Sequence, residues 1–409
     1  MKIKRPELMA PAGDWTMLRA VVNSGADAVY FGVDKLNMRA KAVNFSLDEL
    51  TELTIYCKSN NVKTYLTLNT IVYEEELPLV EKIVFAAGNS GVDRIICWDL
   101  AVTQICNKYN MPFCISTQGS VSNSLSASFY KQIGAKRIVL ARECSLKEIL
   151  KIRVNTDLEI EVFIHGAMCI AISGRCFMSH HLFEKSANRG ECIQPCRREY
   201  EIYDPGIGKS MIIGNDYVLS PKDLCTIEFI DQLIEAGVDS FKIEGRKRSP
   251  EYAAKTVSVY REAIDEYFSG QLTLEKKKNL LNELGEVYNR GFSSGFYFDV
   301  PSSNEYADIY GSKATTKKVY AGKVIKYYKK ARIVYIKLET GSIKLKDKLL
   351  IIGPTTGVIE FEIGNIKKDE ESVSYAIKGE KITIPCDDIV RHNDSVYLIS
   401  KKVDDKMKF

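Results

Sequence analysis

The sequence predicts an α/β fold: a TIM-like parallel β/α barrel with a cysteine-rich insertion, joined to a small C-terminal antiparallel β-barrel-like domain. Three observations carry this expectation. A short phrase recurs at "SGADAVYFG" (24–32), "SGVDRIICW" (90–98), "IGAKRIVLA" (133–141) and "AGVDSFKIE" (236–244), each time with a Gly where an amphipathic run ends and an apolar run begins. Glycine closes helices there because, lacking a β-carbon, it takes the left-handed backbone conformation without a clash. Eight apolar runs without alternation, the pattern of strands covered on both faces, alternate with helical segments, which favours a closed parallel barrel over an open sheet. From about Lys317 the period changes to apolar–polar alternation between Gly turns, the pattern of antiparallel strands.

In chain order, barrel strands are expected at 7–11, 28–32, 63–69, 94–98, 113–117, 137–141, 159–165 and 240–244. Parallel barrels carry their chemistry at the C-terminal strand ends. Here those ends read Asn69, Asp99, Gln118, Arg142, His165 and Glu244, a polar rim above buried strands. About 75 residues separate His165 from Ser240, far more than a crossover needs. The excess, about 166–220, reads as an insertion at the rim that ends in a hairpin-like piece, "EYEIYD…KSMIIGNDYVLS". A helix is expected over 249–270, with Ser249 as its cap, Pro250 at its first position and Gly270 closing it. The barrel domain thus spans 1–300, a linker 301–316, and the β-domain 317–409.

An apolar share of 45% and a charged share of 27% are those of a globular protein. No segment approaches the ~20 apolar residues of a membrane span, and "MKIKRPELMAPAGDW" has no apolar core of signal-peptide length. The expected location is the cytoplasm, with no membrane partner. Eleven cysteines in that compartment should be reduced, so a local cluster points to metal binding or catalysis rather than disulfides. Net charge is +4 but uneven: residues 311–409 carry 21 Lys+Arg against 13 Asp+Glu, and the remainder, 36 minus 40, is −4. Lys313, Lys317, Lys318, Lys323, Lys326, Lys329 and Lys330 gather there with Tyr327 and Tyr328. Lysines neutralise phosphates and tyrosines offer flat faces to unpaired bases; the alternative is a strand with a merely basic outer face.

The insertion concentrates Cys169, Cys176, Cys192 and Cys196 at spacings x6, x15 and x3. Structural zinc favours tight C-x2-C knuckles and two-cluster ferredoxins a C-x2-C-x2-C run, and neither occurs here. Four thiolates from one loop can still hold a metal or an iron–sulfur cube, with Gly166, Gly174 and Gly190 letting the backbone wrap closely and Pro195 stiffening the last pair. The competing reading is four buried small hydrophobes. Cys225, expected on a helix, is a reserve ligand. A protease would need a nucleophile with an oriented base, yet there is no HExxH and no G-x-S-x-G, and nothing supplies a third group behind His165.

"EVFIHGAMCIAISGRCFMSHH", "NRGECIQPCRREY", "FKIEGRKRSPEYAAKTVSVYREAID" and the opening "ELMAPAGDWTMLRAVVNSGADAVYFGV" together resemble the collagenase-like peptidase family U-32, over roughly residues 5–300. The basic β-domain is similar to an accessory domain of some members. Several branches of that family resemble RNA-modification enzymes more than proteases. The nearest branch is the tRNA hydroxylation proteins, which form 5-hydroxyuridine at the wobble position and depend on prephenate. A sister branch hydroxylates a cytidine of 23S ribosomal RNA.

The resemblance implies a 4Fe–4S cluster held by Cys169, Cys176, Cys192 and Cys196. It implies tRNA, or alternatively ribosomal RNA, as substrate, leaving open a partner protein, a homo-oligomer or a true collagenase-like peptidase. It also draws attention to Glu161, His165, Lys242, Glu244 and Arg246. Lys242 and Arg246 are expected to pair with a dicarboxylate such as prephenate, because a guanidinium fork suits carboxylate. Arg39 and Arg142 are further candidates on the same rim, and Glu244 and His165 candidate proton relays.

Overall fold

The computed structural model describes residues 3–40, 43–172, 175–213, 219–309 and 311–402. Seven parallel strands come first: β1 (Glu7–Pro11), β2 (Ala28–Phe31), β3 (Lys63–Leu68), β4 (Arg94–Cys97), β5 (Phe113–Ile115), β6 (Arg137–Val139) and β7 (Glu159–Ala167). The insertion then contributes a hairpin, β8 (Tyr200–Asp204) with β9 (Lys209–Ile213), and a short strand β10 (Asp223–Cys225). Residues 214–218 of the stretch read as hairpin lie outside the described residues. β11 (Ser240–Ile243) pairs in parallel with both β1 and β7 and closes an eight-stranded barrel.

Each crossover returns through a helix: α1 (Trp15–Asn23), α2 (Leu50–Ser59), α3 (Leu77–Asn89), α4 (Leu100–Lys108), α5 (Ser124–Gln132) and α6 (Leu146–Val154). Side chains of Asp14, Asp99, Asn123 and Ser145 accept backbone N–H bonds at the starts of α1, α4, α5 and α6. Caps satisfy donors that the first turn leaves orphaned, so Asp99 serves a helix end rather than the polar rim. The insertion holds α7 (Met178–Phe183), and α8 (Ile230–Glu235) precedes β11. The long α9 (Pro250–Ser269) starts at Pro250 after an extended Ser249 and ends on Gly270 in the left-handed region; α10 (Leu274–Glu286) follows. The main core lies between strands and helices, with Leu8, Leu18, Val29, Leu66, Ile95 and Phe241 fully buried.

The second sheet follows β12 (Phe292–Ser293), which pairs with β10. Its strands are β13 (Thr316–Tyr328), β14 (Ile333–Leu338), β15 (Ser342–Lys344), β16 (Lys348–Gly353), β17 (Gly357–Glu362), β18 (Ile366–Lys368), β19 (Glu371–Val373), β20 (Tyr375–Ile377), β21 (Lys381–Pro385) and β22 (Ser395–Lys401). They form an antiparallel sheet in the order β17-β16-β22-β13-β14-β21-β18-β19, with β15 and β20 paired beside it over a separate apolar core. This sheet docks on the barrel's helices. Gly357, at φ +77°, lies so close to α1 that a β-carbon would stand 2.9 Å from the Ala20 nitrogen. Arg19 Nε donates to the Pro354 carbonyl at 3.0 Å, and Lys318 pairs with Glu251 of α9 at 2.7 Å. Among the described residues no helix is long and apolar enough to cross a membrane.

Candidate active site

Two layers fill the barrel from bottom to top. The lower is ionic. Arg137, from β6, pairs with Glu7 at 2.7 Å, Glu159 at 2.7 Å and Glu161 at 3.0 Å. Arg94 reaches Glu159 at 2.7 Å, and Lys242 of β11 reaches Glu161 at 2.9 Å. Burial alone would raise the Glu161 carboxyl, but Lys242 and Arg137 outweigh it and hold it below the usual carboxylate range. Beside this network a small apolar cluster packs Met9, Ala28, Tyr30, Tyr65, Ile96 and Cys114.

Above lies a cavity of about 1220 Å³, open mouth included, at the C-terminal strand ends. Cys169, Cys176, Cys192 and Cys196 all line it, together with Arg39, Arg142, Arg197, Lys242, Arg246 and Lys247. Glu244 is the acidic residue of that lining. Two glycines let the insertion close over the barrel. Gly166, at φ +106°, would place a β-carbon 2.5 Å from the Glu244 carbonyl, and Gly190, at φ +84°, one 2.2 Å from the Asn37 carbonyl. No larger residue fits either approach. Gly174 lies outside the described residues. Arg197 ties the loop down by donating to Ser220 Oγ and the Pro221 carbonyl at 2.9 Å each and to the Met168 carbonyl. Arg189 forks onto Glu76 and the Ile71 carbonyl.

The thiols share electrostatics as well as a cavity. Burial pushes the Cys196 thiol up, Arg197 pulls it down, and Cys169, Cys192 and Cys176 add to the rise. Backbone N–H groups of Met178 and Gln194 each point at a sulfur two residues back, Cys176 Sγ and Cys192 Sγ, at 3.4 Å. Among the described residues no three His, Cys, Asp or Glu side chains converge as a single-ion group.

Arg39 Nη2 donates to Glu244 Oε1 at 2.7 Å. Burial alone would raise the Glu244 carboxyl, but Arg39, Arg142 and Arg246 bring it down to about 2. Glu244 is therefore ionised at neutral pH and anchors Arg39. Arg246 is 5% exposed, and burial pushes its guanidinium down to about 10. Its Nη2 donates to Asn37 Oδ1 at 3.0 Å, while its Nη1 and the Nε of Arg142 are buried without a hydrogen-bond partner. Arg142 otherwise donates to the Ala167 carbonyl at 2.7 Å and lies flat over Phe163 at 4.1 Å.

Two expected site residues stand apart from the cavity. Glu161 belongs to the ionic floor. His165 is 1% exposed and packs outside the barrel against Tyr252, Tyr260 and Phe292, where burial lowers its pKa to about 4. The reason is a bulge: the register between β7 and β11 slips between Lys242 and Ile243, so Phe163 and then His165 meet successive partners. One extra residue reverses side-chain alternation. Phe163 faces the cavity and His165 faces α9. Cys225 is in β10 rather than a helix, and is buried against the Tyr260 hydroxyl. Sequence reasoning did not single out Arg197 or Lys247 among the cavity cations; the double Arg after Cys196 and the "EGRKR" run were the available signals.

Of the expected RNA-binding residues, Lys317, Lys323, Lys326, Lys329 and Lys330 are exposed on or just after β13, as is Tyr328. Lys313 pairs with Asp308 at 2.6 Å, and Lys318 is committed to Glu251. Tyr327 donates to the Cys386 carbonyl at 3.0 Å and packs on the β-domain core, so its face is not free for a base.

A closed parallel barrel capped by an inserted loop with four thiols at its mouth defines a class in which the insertion completes the site. Residues 13–306 match the model of peptidase family U32, and the chain belongs to that family. It is 42% identical over 406 residues to an uncharacterized protease of Methanocaldococcus jannaschii, covering 97% of this chain and 99% of that protein. It is 38% identical over 414 residues to a collagenase of Porphyromonas gingivalis, covering 98% and 100%. It is 38% identical over 357 residues to tRNA hydroxylation protein P1 of Bacillus subtilis, covering 86% and 84%.

Proposed function

We propose that this chain is an iron–sulfur RNA-modifying enzyme that hydroxylates the wobble uridine of tRNA with prephenate as the oxygen-donor metabolite. The observation that carries the reading is the single cavity at the barrel mouth, where four insertion cysteines and six cationic side chains face the same space. The relative named for tRNA hydroxylation supports the choice of RNA.

The donor set fits a 4Fe–4S cluster. Cys169, Cys176, Cys192 and Cys196 would hold it, and the surplus positive charge offsets the thiolates. Bound there, the cluster would supply one-electron redox chemistry. Arg246 and Arg142, both on the cavity lining, offer guanidinium groups to the carboxylates of prephenate. Glu244 holds Arg39 in place, and Glu161 fixes Lys242 with its ammonium 4.5 Å from the Tyr30 ring centroid. Tyr30, Ile96, Val139 and Phe163 give an apolar wall that excludes water beside these charges. The target pyrimidine, unstacked from a single-stranded loop, enters through the same mouth.

The collagenase name of one relative makes peptide hydrolysis the rival. Among the described residues no histidine lines the cavity, so its thiols have no imidazole base. Anaerobically purified protein is expected to carry iron and acid-labile sulfide, both reduced by Cys192→Ser. Mass spectrometry of RNA from a deletion strain is expected to show loss of 5-hydroxyuridine derivatives. Loss of a ribosomal hydroxycytidine instead would move the substrate to ribosomal RNA, and protein without iron or sulfide would overturn the reading.

A further inference from the structure

A second, shallower pocket adjoins the cavity and shares Met38 and Gln118 with it. Its other walls are Ile71, Trp98, Arg175, Phe177 and Asn188, around about 620 Å³ counted with its open side. Trp98 is fixed by its indole N–H, which donates to the Asn69 carbonyl at 3.0 Å. The Arg175 guanidinium lies 4.4 Å from the Trp98 ring centroid, and Phe177 is 75% exposed. A large aromatic left in solvent next to an arginine–indole stack has no packing role to explain it. Two further arginine–aromatic stacks involve the insertion, Arg189 over Tyr73 at 4.6 Å and Arg198 over Phe183 at 4.5 Å.

We infer that this side pocket receives the nucleobase next to the target in a single-stranded RNA loop. Unpaired bases stack on aromatic rings and on guanidinium planes, and the same guanidinium pairs with the backbone phosphate. Phe177 and the Arg175–Trp98 stack supply flat surfaces beside the mouth, so a base extruded into the cavity leaves its neighbour at the side pocket. Arg175 and Phe177 also flank Cys176, so the thiol and the platform are set by one stretch of chain. The inference rests on the proposed RNA substrate and adds where the flanking nucleotide sits. It locates base recognition on the insertion, with the lysines of β13 left to the phosphate backbone.

The test uses the full chain and a fluorescent anticodon-stem-loop hairpin, with 2-aminopurine placed beside the target position or in the stem. Phe177→Ala, at an exposed side chain, is expected to weaken binding about tenfold. Arg175→Lys keeps the charge but loses the plane, and is expected to weaken it by a similar factor. Quenching of 2-aminopurine is expected beside the target and absent in the stem, and Phe177→Ala is expected to relieve it. Unchanged affinity and unchanged quenching in both variants, with the wild-type chain still binding the hairpin, would overturn the side-pocket assignment alone. Failure of the wild-type chain to bind any hairpin, with a collagen-like peptide binding and lost in Phe177→Ala, would overturn the RNA reading itself.

Discussion

The floor of the barrel spends its cations in pairs, whereas the mouth above it keeps a surplus. Below, Arg137, Arg94 and Lys242 are matched by Glu7, Glu159 and Glu161. Above, Arg39, Arg142, Arg197, Arg246 and Lys247 face Glu244, and two of the guanidiniums keep a buried nitrogen without a partner. One layer is complete as it stands. The other carries more positive charge than its own acidic residue cancels.

This contrast yields opposite expectations for removing charge. In the floor, Glu161→Gln strands Lys242, and takes one of three carboxylate partners from Arg137, in a barrel interior where Glu161 itself is 1% exposed. Breaking a buried pair by removing one partner costs about 3–5 kcal/mol. A urea titration is expected to show the midpoint falling by that free energy divided by the slope, with the slope unchanged. An unchanged midpoint would mean the floor is not the structural layer.

In the mouth, Arg246→Met removes a cation whose desolvation outweighs the attraction of Glu244. Stability is expected to hold or rise slightly. The loss appears in binding: a charge-assisted hydrogen bond is worth roughly 1.5–3 kcal/mol, so calorimetric affinity for prephenate is expected to drop about ten- to hundredfold. A variant that is destabilised as strongly as Glu161→Gln yet binds prephenate normally would reverse the roles of the two layers.

How far the sequence revealed this architecture follows from the same distinction between local and long-range signals. The barrel strands were legible because each runs as a mainly apolar segment, four of them (β2, β4, β6 and β11) after a helix-closing glycine, and observed strands begin where those runs begin. The cavity cysteines and Arg39, Arg142 and Glu244 were legible because they sit at or beyond strand ends. Arg246 followed from the resemblance and the guanidinium's suitability for carboxylate. The floor was not: Glu161 reads as a rim residue, and its partners Arg137 and Glu7 lie on strands far away in sequence. Trp98 carried no assignable role, because the arginine above it comes from the insertion.

His165 marks the border of the comparison and gives its finest test. Its place at the end of β7 pointed to the mouth, but the bulge opposite Ile243 turns it outward, into apolar and aromatic neighbours that leave the neutral ring favoured. In the folded chain it accepts a proton only near pH 4, whereas in an unfolded chain it does so near 6.5. Between those values the unfolded state binds more protons, so stability present above pH 6.5 is lost as the pH falls toward 4. His165→Phe keeps an aromatic ring there, and the Tyr260 hydroxyl retains its bonds to the Ile164 carbonyl and from the Thr226 amide. The difference in unfolding free energy between wild type and variant is expected to be flat above pH 6.5 and to shift toward the variant below it. One pH unit below that point the shift should be about 1 kcal/mol. A flat difference down to pH 4 would mean the ring is reached by solvent or by a charged partner. His165 would then belong with the mouth.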